Sequence, residues 1–255
     1  MAIAGTVGLT GGGEFGIVRR SKLRLLAEFQ LLVDGMAVVL PHSVERIVAF
    51  LAISRVPVIR ARLAASLWPD VADQRANGDL RSALWRLRRV TGVIRELDSR
   101  LELAPGIDVD VSEMTELTHA LIVEPVRPAL DRVPDLVHGD EILPGWDEEW
   151  LIVERERYRL LRLRALERSA EALLADGEHA AALDAALACV ATEPYRESAH
   201  RLVVRIHLAE GNTAQAVRSY RSFRSLLDEE LGIAPSALMD DLVAPLADGG
   251  RLTSR

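Results

Sequence analysis

Two stretches of this chain echo each other at an offset of 34 residues. Asp176-Gly177-Glu178-His179-Ala180-Ala181-Ala182-Leu183 aligns with Glu210-Gly211-Asn212-Thr213-Ala214-Gln215-Ala216-Val217. In both copies an acid and a glycine precede a run of small and aliphatic residues. Ala182 and Ala216 hold the same place, and side chains that small let paired helices approach closely. A unit of this length cannot bury its apolar face alone, so it must stack on neighbours. The surroundings agree. From Asp147 onward apolar residues recur at i, i+3 and i+4. The pattern breaks only near Gly177, Glu193-Pro194, Gly211 and Gly232-Ile233-Ala234-Pro235.

Thirty-four residues is the tetratricopeptide period. Pro194 follows the first glycine by 17 residues, where such repeats place the proline that closes the second helix; the second copy departs, with Asp228 there. Cys189 aligns with Phe223 and is expected as a small core residue. Trp146 and Trp150, four apart, are expected to staple the long helix onto the stack. A stack of α-hairpins is an interaction architecture, not an active site.

The first half reads differently. Lys22–Leu40 alternates and is broken by Asp34-Gly35, a strong hairpin signal, so two short strands open the ordered part. Ser43 is placed to cap a helix over Val44–Ile53. A second helix is expected over Arg60–Trp68, stopped by Pro69, and a third over Asp73–Val90, ended by Gly92. Val93–Leu97 and Arg100–Leu103 flank Asp98-Ser99 as a further hairpin. Strands, three helices and a closing hairpin give the order of a winged helix-turn-helix. Between the halves, Glu116–Leu121 reads as a short helix, and Pro125, Pro128 and Pro134 mark a looser connection.

The third helix carries the chemistry. At 100° per residue, Ala76, Leu80, Ala83, Leu84 and Leu87 fall on one side. Gly78, Ser82, Trp85 and Arg89 fall on the other, flanked by Arg75, Arg81 and Arg86. Acids able to pair with these arginines are nearly absent between Arg81 and Arg95, and a tryptophan centred on a polar face is unusual. A solvated charged face would normally carry such acids. A recognition helix in the DNA major groove would not, because an arginine fork binds guanine O6 and N7, or a phosphate, in bidentate fashion.

Net charge alone points elsewhere. The chain holds 31 Lys+Arg against 38 Asp+Glu, net −7. The sum conceals a split. Residues 19–105 hold 15 basic and 9 acidic residues, net +6, and residues 106–255 hold 16 and 28, net −12; Glu14 supplies the remaining −1. A basic half bearing an arginine helix can bind phosphates through counterion release. An acidic half is expected to face proteins. The length of 255 residues suits two ordinary domains, and 49% hydrophobic with 27% charged residues is the composition of a globular chain.

Several stretches together resemble the Streptomyces antibiotic regulatory protein family. They are Leu63-Ala64-Ala65-Ser66-Leu67-Trp68-Pro69-Asp70, Leu80-Arg81-Ser82-Ala83-Leu84-Trp85-Arg86-Leu87-Arg88-Arg89, Leu143-Pro144-Gly145-Trp146 with Trp150 and Glu154-Arg155, and Glu230-Leu231-Gly232-Ile233-Ala234-Pro235-Ser236. The resemblance spans residues 22–246. It implies a mainly α chain with a small β component: an OmpR-type winged helix over 22–112 and a tetratricopeptide-like bacterial transcriptional activator domain over 113–246; outside it, flexible tails are expected over 1–21 and 247–255. It implies binding to direct repeats in double-stranded promoter DNA, as a homodimer on DNA, with recruitment of RNA polymerase and its sigma factor. Arg75, Arg81, Ser82, Trp85, Arg86 and Arg89 would lie on the recognition helix. Arg100 would lie in the wing, against phosphate or the minor groove. Ala76-Asn77-Gly78-Asp79 departs from the family's Arg-Asn pair and uncharged residue before Leu-Arg. Asp79 would repel phosphate if it faced DNA. No nucleotide-binding ATPase segment follows, as in the short form of the family.

Other classes find little support. Cys189 is the only cysteine, which excludes an intrachain disulfide or a four-cysteine zinc site. Lys22 is the only lysine and has no glycine frame, so there is no P-loop. Neither G-x-S-x-G nor H-E-x-x-H occurs. His138, Asp140 and Glu141 with Asp147-Glu148-Glu149 read as acids complementing a helix dipole rather than as metal ligands. His200 and His207 read as packing or surface residues. Gly11, Gly13 and Gly16 have dinucleotide spacing without the preceding strand. The chain is therefore expected to be a non-enzyme without cofactor or metal. No apolar run spans a membrane and no signal peptide is evident, so a cytoplasmic location is expected. The alternative reading is a tetratricopeptide-type interaction scaffold with a degenerate winged helix, favoured by Asp79, Gly78 and the acidic second half.

Overall fold

The computed structural model describes residues 21–90 and 92–249. The expected tail over 1–21, apart from Ser21, and the Gly11-Gly13-Gly16 spacing lie outside the described residues, as do residues 250–255. The chain is mainly helical with a small sheet component. It divides into two compact units. Of the described residues, 21–23 with Gln30–Asp108 form the first, and Arg24–Phe29 with residues 109–249 form the second.

In the first unit, β1 (Ser21–Arg24), β2 (Gln30–Val33), β3 (Met36–Val38) and β7 (Ile107–Val109) form a sheet of order β3-β2-β1-β7. The Asp34-Gly35 hairpin joins β2 to β3, with Leu31 opposite Val38 and Val33 opposite Met36. Both turn residues have positive φ, 52° and 80°, matching the right-handed twist of the strands. The expected pair of strands is thus a trio. β1 is a separate strand, and the chain leaves it through Ala27 at φ 68°.

Helix α1 (His42–Ser54) begins earlier than expected, and Ser43 is not its cap. Pro41 is the N-cap. Its carbonyl accepts the Val44 and Glu45 N–H groups at 2.8 and 3.1 Å, and proline has no N–H to leave unmet there. After β4 (Val58–Ile59) come α2 (Arg60–Leu67) and α3 (Asp73–Val90). Val44, Ile47 and Leu51 of α1, Leu63 and Leu67 of α2, and Leu80 and Leu87 of α3 are all buried. This apolar seam fixes which side of α3 faces outward. Strands β5 (Ile94–Leu97) and β6 (Arg100–Leu103) close the unit in a sheet of order β4-β6-β5.

The second unit is helical. Its first helix, α4, spans Asp110–Val123 rather than the expected Glu116–Leu121. The Asp110 carboxylate accepts the Leu25 N–H at 2.9 and 3.0 Å and the Leu26 N–H at 3.0 Å. It also accepts its neighbour Val111 N–H at 2.7 Å, which satisfies one orphan donor of the first turn. The proline-rich connection contains two short helices, α5 (Arg127–Leu130) and α6 (Val133–Val137), each with proline in its first turn, where proline is tolerated. Then follow α7 (Glu149–Ala175), α8 (His179–Thr192), α9 (Glu197–Ala209), α10 (Thr213–Leu231) and α11 (Ala237–Gly249). The last runs three residues into the stretch expected as a C-terminal tail.

The sequence echo is also a geometric one. Gly177 N–H donates to the Leu174 carbonyl at 3.1 Å and Glu178 N–H to Leu173 at 2.8 Å. Thirty-four residues on, Gly211 N–H donates to Leu208 at 3.0 Å and Asn212 N–H to His207 at 2.8 Å. The glycines adopt φ 77° and 76°, left-handed values that a side chain would strain. Ala182 and Ala216 are fully buried, as are Cys189 and, but for 1%, Phe223. Burial pushes the Cys189 thiol up to about 12, with Glu167 adding to the effect and Arg196 and Arg162 opposing it. Each tryptophan has a partner close to the start of α7. Trp146 stacks on Phe29 at 6.0 Å, and Trp150 Nε1 donates to Glu148 Oε2 at 2.9 Å. The strained Leu143 (φ 45°) and Gly145 lie in the loop ahead of α7, which puts Trp146 before the helix rather than on it.

Candidate nucleic-acid interface

Because Ala76, Leu80, Ala83, Leu84 and Leu87 are buried, the opposite face of α3 is presented outward. Arg75, Arg81, Ser82, Trp85, Arg86 and Arg89 are all exposed there. Trp85 leaves 58% of its surface open, an unusual exposure for so large an apolar side chain. The Arg89 guanidinium sits over its ring at 4.8 Å. Arg75, Arg81, Arg86 and Arg89 form no ion pair among the described residues. The Ser82 hydroxyl donates to the Gly78 carbonyl at 3.0 Å, so its proton serves the helix while its oxygen still faces out. Asp79 is half-buried and unpaired among the described residues. An added Cβ at Gly78 would meet only Arg81 Nη2, at 3.9 Å.

Arg88 has a different task. It pairs with Glu96 of β5, which also takes Arg60, the first residue of α2, at 2.6 Å. One carboxylate thereby ties the end of α3, the start of α2 and the hairpin together. Partial burial pushes the Glu96 carboxyl up, but the hydrogen bonds and charges of Arg88 and Arg60 outweigh it and hold it below its ordinary value. The hairpin is anchored twice more. Arg60 N–H donates to the Ser99 carbonyl at 2.9 Å, and β4 pairs with β6, setting Ile59 opposite Arg100. Asp98 turns the hairpin at φ 50°. Arg100 follows that turn, exposed and without an ion pair among the described residues. Arg95 and Glu102 neutralise each other across the strands.

Sequence reasoning passed over two residues here. Arg62 of α2 is exposed and also forms no ion pair among the described residues. Its signal was the Arg60-x-Arg62 spacing ahead of buried Leu63. Glu96 was the first acid after the arginine run, and its bridging role needed the hairpin's position to be seen. Among the described residues no group of His, Cys, Asp and Glu could hold a metal ion, and no helix is long and apolar enough to cross a membrane. His138 Nδ1 lies 2.9 Å from the Pro134 carbonyl, a local contact within its own turn.

The family model of the bacterial transcriptional activator domain matches residues 109–246. The regulatory protein AfsR of Streptomyces coelicolor is 29% identical over 194 residues, covering 69% of this chain and 19% of that protein. The AfsR protein of Streptomyces griseus is 28% identical over 196 residues, with the same coverage. The chain thus spans about one fifth of the length of these relatives. A solved structure of Mycobacterium tuberculosis EmbR in complex with a low-affinity phosphopeptide shares the fold, with a TM-score of 0.74 at 21% identity over 91% of this chain and 66% of that one.

Proposed function

Since the chain belongs to the bacterial transcriptional activator domain family, we propose that it is a sequence-specific DNA-binding activator of transcription. The observation that carries this reading is the outward face of α3, where Arg75, Arg81, Arg86 and Arg89 surround an exposed Trp85 without a pairing carboxylate. In this reading the first unit is an OmpR-type winged helix. Helix α3 enters the major groove, where bidentate arginines read guanine, and Arg100 on the hairpin takes a phosphate or the minor groove. Arg62 adds a phosphate contact from α2. Glu96 holds hairpin and helices in one frame, so the phosphate contacts and the base contacts arrive in register. Two copies bind a direct repeat in promoter DNA, and the tetratricopeptide-like helical half recruits RNA polymerase and its sigma factor.

Selection of bound duplexes from a random pool tests the first part. A directly repeated motif is expected to emerge, and a pool that stays random would overturn sequence-specific binding. Arg86→Ala with Arg89→Ala is expected to weaken binding and to flatten the salt dependence by about one unit of slope per lost phosphate contact, with circular dichroism unchanged. A promoter-reporter assay then separates activation from repression. The scaffold reading, in which the first unit has lost DNA binding, rests on the half-buried charge of Asp79 and would follow from the absence of any salt-sensitive retention on DNA.

A further inference from the structure

A second arginine cluster lies in the helical unit, far from neutral expectation for a half whose net charge is −12. A groove of about 270 Å³ opens between α7 and α9, with α4 at its edge. Arg164 and Arg168 line it from α7, and Arg201 and Arg205 from α9, at i, i+4 spacing on both helices. That spacing puts each pair on one face of its helix, and both faces line the groove. Ile122 and the buried Leu202 supply apolar lining.

The acids of this groove are already engaged. Glu167 receives two parallel guanidinium bonds from Arg196 at 2.7 Å and one from the Ser198 hydroxyl. Glu171 pairs with Arg168 at 2.9 Å, a pair half open to solvent and weak enough to exchange. Arg201 pairs with Glu197 at 3.0 Å. Arg164 and Arg205 are exposed and form no ion pair among the described residues. The groove therefore presents two uncompensated guanidinium groups over an apolar lining.

We propose that this groove binds an acidic segment of a partner protein, with Arg164 and Arg205 taking a carboxylate and an adjoining apolar side chain resting on Ile122 and Leu202. The inference rests on reading the helical unit as the protein-binding half; it does not depend on DNA binding. A nucleic-acid duplex fits poorly, because a dense row of phosphates meets the net −12 of the whole half, whereas a short peptide with one or two carboxylates responds to the local field. The volume suits one or two side chains, not a nucleotide with its neighbours.

The test is peptide selection from a random display library against the whole 255-residue chain, followed by binding measurements on the selected peptides. Enrichment of Asp and Glu beside a leucine-sized residue is expected. Arg164→Ala with Arg205→Ala is expected to weaken those peptides by about tenfold or more, the loss of one or two charge-assisted bonds. Both side chains are exposed, so the variant keeps its melting temperature. Selected peptides without acid enrichment, or acidic peptides held equally by the double variant, would overturn the proposal. So would acidic peptides lost only on Arg86→Ala with Arg89→Ala, which would place them on the DNA-facing helix. A double variant that changes the sedimentation coefficient instead would identify the occupant as a second copy of the chain and also sink it. Loss of promoter activation in Arg164→Ala with Arg205→Ala, with DNA binding intact, would link the groove to recruitment. Full activation in that variant separates the groove from recruitment and leaves the activator reading standing.

Discussion

The Arg89 guanidinium lies 4.8 Å from the centre of the Trp85 ring, one turn along the exposed face of α3. The tryptophan thus orients an arginine that has no carboxylate partner among the described residues. An oriented fork loses less side-chain entropy when it meets a base edge or a phosphate. A cation over an exposed ring contributes about 0.5–1 kcal/mol. Trp85→Ala is therefore expected to weaken DNA binding by roughly two- to fivefold. Trp85→Phe keeps a ring under the guanidinium and should lose less. Neither change touches the buried stripe of α3, so the melting temperature should hold. Fluorescence anisotropy with the selected duplex measures the first effect and calorimetry the second. Equal losses in the alanine and phenylalanine variants would show that the indole itself makes the contact.

Gly78 sits at the centre of the same face, where an added Cβ would meet only Arg81 Nη2, at an ordinary contact distance of 3.9 Å. Glycine in a helix costs about 1 kcal/mol against alanine. Gly78→Ala is expected to stabilise the chain by about that amount, read as a higher denaturant midpoint. None of the described residues requires the glycine; if the α3 face meets DNA, the added methyl group is expected to lower DNA affinity several-fold in the same variant. A stabilised variant with unchanged affinity would place Gly78 away from DNA. Asp79→Asn, which removes a charge like that of phosphate, is expected to bind DNA more tightly.

The legible parts of this fold were those with local causes. Asp34-Gly35 turned where its φ preference dictated, and Gly177 and Gly211 closed matching turns at the 34-residue offset. The extent of α3 and its buried stripe followed from helical spacing alone. What escaped was set by distant partners. Asp110 starts α4 because its carboxylate meets the amides of Leu25 and Leu26, 85 and 84 residues away, and no local pattern announces that. The stacking of Trp146 on Phe29 is likewise set by a partner distant in sequence. At the candidate interface, the arginines of α3 could be read from spacing, but Glu96 could not, since its bond to Arg60 joins two elements that the sequence keeps far apart.

The segment Arg24–Phe29 belongs to the helical unit by its bonds. Leu25 and Leu26 donate to Asp110, Ala27 donates to the Glu141 carbonyl at 3.0 Å, and Leu143 donates to the Leu25 carbonyl at 2.8 Å. Removing the carboxylate strands two amides of that segment. Asp110→Ala is expected to cost about 2 kcal/mol, the range for hydrogen bonds to a charged group. Asp110→Asn keeps an acceptor and should cost less. A fragment that starts at residue 113 lacks both the segment and its acceptor, so it should melt below the helical unit of the full chain. Equal melting of fragment and full chain would refute the role assigned to these bonds.

Acid should weaken the helical unit through Glu167. Burial alone would push its carboxyl up, but the bonds from Arg196 and Ser198 and the charges of Arg196 and Arg201 win and hold it below its ordinary 4.5. Arg196 responds in the matching sense, its own value raised first by the Glu167 bond. The unfolded chain then binds the proton before the folded one does. The stabilisation is complete above about pH 4.5 and drains away as pH falls through the folded value. Glu167→Gln leaves Arg196 without its carboxylate and is expected to cost about 2 kcal/mol at neutral pH. Its urea midpoint should also change less between pH 6 and pH 3 than that of the parent, because one proton-linked contribution is gone. Parallel pH profiles for the two proteins would mean that the Arg196 pair contributes nothing to acid stability.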